Sequence, residues 1–278
     1  MVIHPAPARY FPVKETPFRF QAGLFPFGTD FGNGEVDRQF FQVDRQRERY
    51  LEQKRRVRPT RHHVLAGDVA ERRVHEQVVP WMRTALEREH PALFAPAPET
   101  YRELATQVQE DVVVMHRRPD GTNAAIMVDV CFPSDWRPER IVGTDFRFIH
   151  GPVPGFADDA AQAAAMVSAM IDRGPYVRFV WTLKPADDLD LHPEEGVHAS
   201  WHDSREGFLR VERQVTVPFQ EVQAAIFLIR TYLYAFGELT AQQRRRLTTA
   251  LETMPDDPAR YKNVWPVRET ILGMLRAA

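Results

Sequence analysis

The stretch DVVVMHRRPDGTNAAIMVDVCF, residues 111–132, decides the fold. Two runs rich in β-branched and apolar residues flank a loop that carries Asp120-Gly121, a pairing that marks tight hairpin turns. Upstream of it the apolar residues recur at helical spacing, and downstream three more β-rich runs follow. The chain changes period here, from helix to antiparallel sheet.

Working upstream, a short helix is expected over residues 99–108, opening after Pro98, and a longer one over 68–89 with Val74, Val78, Trp81 and Leu86 on its apolar side. A further amphipathic helix is expected over 36–55, carrying Val36, Phe40, Val43, Tyr50 and Leu51, with DRQRER (44–49) as its wet face. Residues 1–34 are rich in Pro, Phe and Gly and read as an extended arm. Its aromatics Phe18, Phe20, Phe25, Phe27 and Phe31 should lie on the main body.

Working downstream, PSDWRPER (133–140) reads as a loop and short helical turn, with Ser134 or Asp135 as its cap. DDAAQAAAMVSAMIDRG (158–174) is an Ala-rich helix with acidic residues at its positive end and Gly174 to close it. Strands are expected at 176–183, 207–217 and 224–234, and helix again from Thr240. The fold class is therefore α+β, with about five antiparallel strands, one helix crossing between strand pairs, and helices at both ends. The chain divides as an arm (1–34), a helical part (35–108), a sheet core (109–236) and C-terminal helices (237–278) of a single domain. A sheet of this kind is expected to curl around a small-molecule pocket.

Composition narrows the function classes. With 278 residues, 44% hydrophobic, there is ample material for a buried core, and disorder is excluded. The 36 basic residues are scattered among 38 acidic ones, so no face calls for nucleic acid or anionic lipid. Cys131 is the single cysteine, which excludes an internal disulfide and any cysteine-built zinc or iron–sulfur site, and suits a reducing cytoplasm. No signal peptide or spanning segment is visible, so a cytoplasmic protein is expected.

Four residues stand out as carriers of chemistry. His150 sits in FIHGPVPGF (148–156), where Gly151, Pro152, Pro154 and Gly155 constrain the backbone behind the imidazole. Ring direction matters for a metal or heme ligand, and a packed histidine before a turn gives the same pattern. Arg230 is the single charge in AAIFLIRTYLYAF (224–236). A buried guanidinium requires an anion. A protein carboxylate such as Glu212, a bound carboxylate such as a heme propionate or an acidic substrate, or an edge position reaching water would each satisfy it. In GFLRVERQVTV (207–217), alternation groups Arg210, Glu212, Gln214 and Thr216 on one face, and in YVRFVWTL (176–183) Arg178 shares a face with Tyr176, Val180 and Thr182. That face is either solvated or lines a cavity, where a carboxylate could hold an ammonium group. HPEEGVHASWHD (192–203) offers a rival non-heme metal site in His198 and His202, with His192 and Asp203 nearby.

Several segments, taken together, resemble the heme-dependent oxidative N-demethylase family in its heme-binding subunit. They are QEDVVVMHR (109–117), CFPSDWRPERIVGTDFRFIHGPVPGF (131–156), VERQVTVPF (211–219) and FLIRTYLYAF (227–236), with FRFQAGLFPF (18–27) matching at the N-terminus. The resemblance implies a PAS-like core holding one heme b. It implies a monooxygenase-type activity that uses O2 to oxidise a secondary amine such as dimethylamine, releasing formaldehyde. It makes His150 the expected axial ligand to iron, and Arg178 and Glu212 the expected polar residues near the substrate. Arg230 then has a natural anion in a propionate. Electrons would come from a flavin and iron–sulfur reductase partner. The chain departs from the family pattern after Arg178, where Phe179 and Val180 precede Trp181 and the family carries an asparagine before its tryptophan. A heme sensor or carrier without turnover, and a related heme oxygenase acting on another nitrogenous metabolite, are the alternatives. The oligomeric state is open.

Overall fold

The structure, a computed structural model, describes residues 9–14, 17–19, 23–151, 153–154, 160–196 and 198–278, with side chains for all of these except 160–163. The expected hairpin forms as β3 (Asp111–Arg117) and β4 (Asn123–Asp129). Gly121 turns the chain at φ +85°, and its amide donates to the Arg118 carbonyl at 2.9 Å. The other long strands are β5 (Tyr176–Lys184), β6 (Phe208–Phe219) and β7 (Ala224–Ala235).

Among the described residues seven strands, rather than about five, make the sheet. The five long strands are extended by β1 (Phe25–Pro26) at one edge and β2 (His62–Val64) at the other, in the order β1-β5-β6-β7-β3-β4-β2, antiparallel throughout. Two- and three-residue strands carry no readable alternation, so only pairing with a longer neighbour reveals them. The antiparallel β5-β6-β7 meander returns β7 alongside β3, so the first and last long strands are neighbours at the centre.

Register sorts the side chains onto two faces. Leu209, Val211, Arg213 and Val215 lie on one, paired across to Tyr234, Tyr232, Arg230 and Leu228. Helix α2 (Val69–Glu89) covers part of this face with Val74, Val78, Met82 and Leu86, all fully buried. Each such side chain contributes roughly 1.5–3 kcal/mol relative to exposure. Asp68 caps α2 by accepting from the Glu71 amide at 2.7 Å, as its place before the apolar period implies. Helix α3 (Pro91–Phe94) follows it, and α4 (Tyr101–Gln107) is capped by Thr100. At the β1 end the same face packs on α7 (Ala241–Glu252) and α9 (Arg268–Ala277), with α8 (Asp256–Tyr261) between them in sequence.

The opposite face carries Arg178, Glu212, Gln214, Phe227, Val113 and Met115, packed against α5 (Phe146–His150) and α6 (Ala160–Asp172), the crossover from β4 to β5. Gly174 ends that crossover at φ +107°, a conformation a side chain would strain.

The helix expected over 36–55 is displaced. Residues 34–38 form one 3-10 turn, and α1 runs from Arg47–Arg61. Asp44, the first residue of the run expected as a wet face, is instead buried and pairs with Arg230. Asp37 is also buried and anchors the N-terminal arm. Its carboxylate accepts from the Tyr10 hydroxyl at 2.6 Å and the Phe31 amide at 2.7 Å. The arm does dock: Phe18 packs edge-on against Trp181, Phe27 stacks on Phe40, and Phe31 meets Phe179. Phe20 lies outside the described residues. Neither Ser134 nor Asp135 caps the turn Pro138–Arg140, which follows Arg137 without a side-chain cap. Asp135 instead pairs with Lys184 on β5. Among the described residues no helix is long and apolar enough to cross a membrane.

Candidate functional site

Asp145 fixes the position of His150 from below. One carboxylate oxygen accepts from the Arg147 amide, capping α5, while the other accepts from the Asn123 amide of β4, both at 2.9 Å. His150 is thus the last residue of a helical turn pinned to the sheet. Its ring lies 4.0 Å from that of Phe146, and Nδ1 donates to the Phe146 carbonyl at 3.1 Å. Desolvation first, and then the positive charge of Arg178, push the imidazole pKa down to about 4. The ring is neutral near pH 7, its proton sits on Nδ1, and the lone pair is on Nε2. Of the Pro-Gly run behind it, Pro152, Gly155 and Phe156 fall outside the described residues.

Arg178 reaches across the same face. Its Nε donates to Gln214 Oε1 at 2.6 Å, Nη1 lies 3.7 Å from the Met166 sulfur, and the guanidinium stands 6.0 Å from the Phe227 ring. Desolvation lowers its pKa, opposed by Glu212 and then Tyr261. The amide of Gln214 in turn donates to Glu212 Oε2 at 3.0 Å, and Arg210 Nε stands 3.5 Å from the other carboxylate oxygen. A continuous chain therefore runs Arg178, Gln214, Glu212, Arg210. The polar face of β6 is not solvated: Arg210, Gln214 and Thr216 are buried, and Glu212 is half-buried.

Two further residues, which no motif marked, belong to this neighbourhood. Lys262, just beyond α8, donates to the Trp181 carbonyl at 2.5 Å and stands 4.7 Å from that indole ring. Burial brings its pKa down to about 8 against the opposing pull of Glu212. The Tyr261 hydroxyl is held above its usual pKa by burial and then by Glu212, with Arg178 opposing. A helical tail thus adds to a charged cluster built on β5 and β6.

Arg230 is elsewhere. It lies opposite Arg213 on the other face of the sheet, and its anion is Asp44, at 2.5 Å. The expectation of a protein carboxylate is met by Asp44, not Glu212, and the guanidinium is sandwiched between Tyr50 at 4.1 Å and Tyr232 at 4.8 Å. Its place as a propionate partner is therefore not carried forward.

The rival metal site does not assemble among the described residues. His198 Nε2 contacts the His192 carbonyl at 2.7 Å, His202 is exposed in a turn rather than on a helix, and Val197 lies outside the described set. No group of three or more His, Cys, Asp or Glu side chains gathers there or elsewhere among the described residues. Two hollows of about 540 and 320 Å³ lie against Trp81 and Phe219 and against His116 and Gln223. His150, Arg178 and Glu212 line neither.

The donor set fits a heme. One neutral imidazole with its second nitrogen held by a backbone carbonyl suits a metal whose remaining ligands come from a macrocycle. Phe146, Ile149, Val153, Met166 and Phe227 give the surroundings an apolar wall. The family model described as "Haem-dependent oxidative N-demethylase, alpha subunit-like" matches residues 95–272, a span that holds every residue of this cluster, and the chain belongs to that family.

Proposed function

As a member of that family, we propose, the chain binds heme b through His150 and oxidatively demethylates a secondary amine, with O2 as oxidant. The observation that carries this reading is the neutral, carbonyl-held imidazole of His150 on the same sheet face as the Arg178–Gln214–Glu212 chain.

When bound, heme supplies iron chemistry that activates O2 for oxidation of an N-methyl carbon. The protein does the rest. His150 Nε2 offers the ligand lone pair, and the Phe146 carbonyl fixes the ring's tautomer and direction. Glu212 accepts an N–H from the secondary ammonium and takes its proton as the amine becomes reactive, with the Gln214 amide holding the carboxylate in place. Desolvation around Arg178 and His150 strengthens both interactions. In sum one O2, two electrons and two protons convert the N-methylamine to a primary amine, formaldehyde and water. A single buried cysteine cannot hold an iron–sulfur cluster. The family resemblance implies that electrons are supplied by a separate flavin and iron–sulfur reductase. The protein is read as cytoplasmic.

The test is formaldehyde release from the heme-loaded protein supplied with electrons, O2 and a panel of N-methylamines. Amine-dependent formaldehyde supports the reading. A heme spectrum that responds to gases with no formaldehyde from any amine makes the protein a sensor or carrier instead.

A further inference from the structure

A half-buried site for a small ammonium ion should be electrically negative, and this one is not. Among the described residues of the cluster, the carboxylates that act on Arg178, Arg210, Lys184 and Lys262 are those of Glu212 and Asp135. Asp135 is taken up by Lys184 and by the side-chain amide of Asn263. The Arg210 guanidinium is satisfied by the Phe132 and Leu189 carbonyls and the Thr231 hydroxyl as well as by Glu212. Lys262 rests on the Trp181 carbonyl. Arg178 differs from all of these. Its direct partners are an amide oxygen and a thioether, and among the described residues it forms no ion pair with a carboxylate.

Desolvated opposite charges ordinarily close into a salt bridge. Here Gln214 prevents it by standing between them, accepting from Arg178 and donating to Glu212. The result is a fixed cation and a fixed anion one amide apart on a single sheet face. A bare dimethylammonium ion would satisfy only the anion and would add to the positive surplus. A molecule that carries both charges a short distance apart satisfies both ends.

On the demethylase reading above, we propose that the substrate is an N-methylated amino acid, its ammonium on Glu212 and its carboxylate on Arg178. Gln214 is then a positioning residue that sets the spacing between the two charges. The bidentate geometry of a guanidinium suits a carboxylate better than a lysine would.

The test is calorimetric titration of the heme-loaded protein, in the absence of electrons, with N-methylglycine and with dimethylamine. N-methylglycine should bind roughly 10- to 100-fold more tightly, the size of one charged hydrogen-bonded contact. Arg178→Met should erase that ratio. Equal binding of the two by wild-type protein overturns the proposal and needs no variant. Should wild type make no distinction and Arg178→Met also lose its heme, the anion on Arg178 is a propionate and the proposal falls. Formaldehyde from dimethylamine with no preference for N-methylglycine leaves demethylation standing and removes only the amino-acid substrate. A clear binding preference with no formaldehyde from either compound removes the demethylase reading and keeps the zwitterion site.

Discussion

Two arginines on opposite faces of one sheet show what a buried charge can mean. Arg230 is enclosed on β7 between two tyrosine rings and joined to Asp44, and together these raise its pKa although burial alone would lower it. Arg178, on β5, is held by Gln214 and a methionine sulfur, and burial lowers its pKa despite Glu212. The first charge is neutralised within the fold and is structural. The second is under-neutralised and marks the face where a ligand is expected.

That difference can be broken most directly at Asp44. Asp44→Ala strands Arg230 in the interior and should cost about 3–5 kcal/mol in urea denaturation, whereas replacing both partners with apolar residues should recover most of it. A loss below about 1 kcal/mol would mean that Arg230 is not held by this pair, and the contrast would collapse.

A second effect comes from Asp111, whose carboxylate accepts from the Cys131 and Phe132 amides beside β4. Burial, offset by Lys54 and those amides, holds its folded pKa up at about 7 against an ordinary 3.8. Between those values the unfolded chain has released a proton that the folded chain keeps. Stability from this group is therefore present below about pH 4 and lost as pH rises through about 7. Denaturation midpoints across that range should show the slope in wild type, and Asp111→Asn should flatten it. An unchanged slope in the variant assigns the pH dependence to other groups.

The smallest effect on stability is expected at Arg178. Because its charge is paired with no carboxylate among the described residues, Arg178→Met should shift unfolding free energy by less than about 1 kcal/mol in either direction. Its effect should fall on ligand binding instead. A loss as large as that of Asp44→Ala would make both arginines structural.

Much of this architecture was readable from residue order. The 111–132 hairpin, α2, α4 and the long strands declared themselves through period, caps and turn residues, all of which act over a few positions. What failed was long-range. Asp44 stands in a run that reads as a solvated helix face until Arg230, 186 positions away, is seen to bind it, and nothing local marks Asp37 as the anchor for Tyr10. The strands β1 and β2 are too short to carry a period of their own. At the site, His150, Arg178 and Glu212 were visible as residues out of keeping with their surroundings. Gln214 becomes the spacer between charges only once the β5–β6 register is known, since it stands opposite Arg178. Tyr261 and Lys262 had no motif at all, because a helical tail that folds back onto a sheet edge leaves no local signature.

The central claim is that the His150 imidazole grips heme iron. Its most direct measurement is the Soret absorption of wild-type and His150→Ala protein after reconstitution with hemin. Wild type should take up roughly one heme per chain, and the variant should lose the band or shift it, with added imidazole restoring the original position. A wild type that stays colourless with hemin, or a variant whose spectrum matches it, contradicts the account.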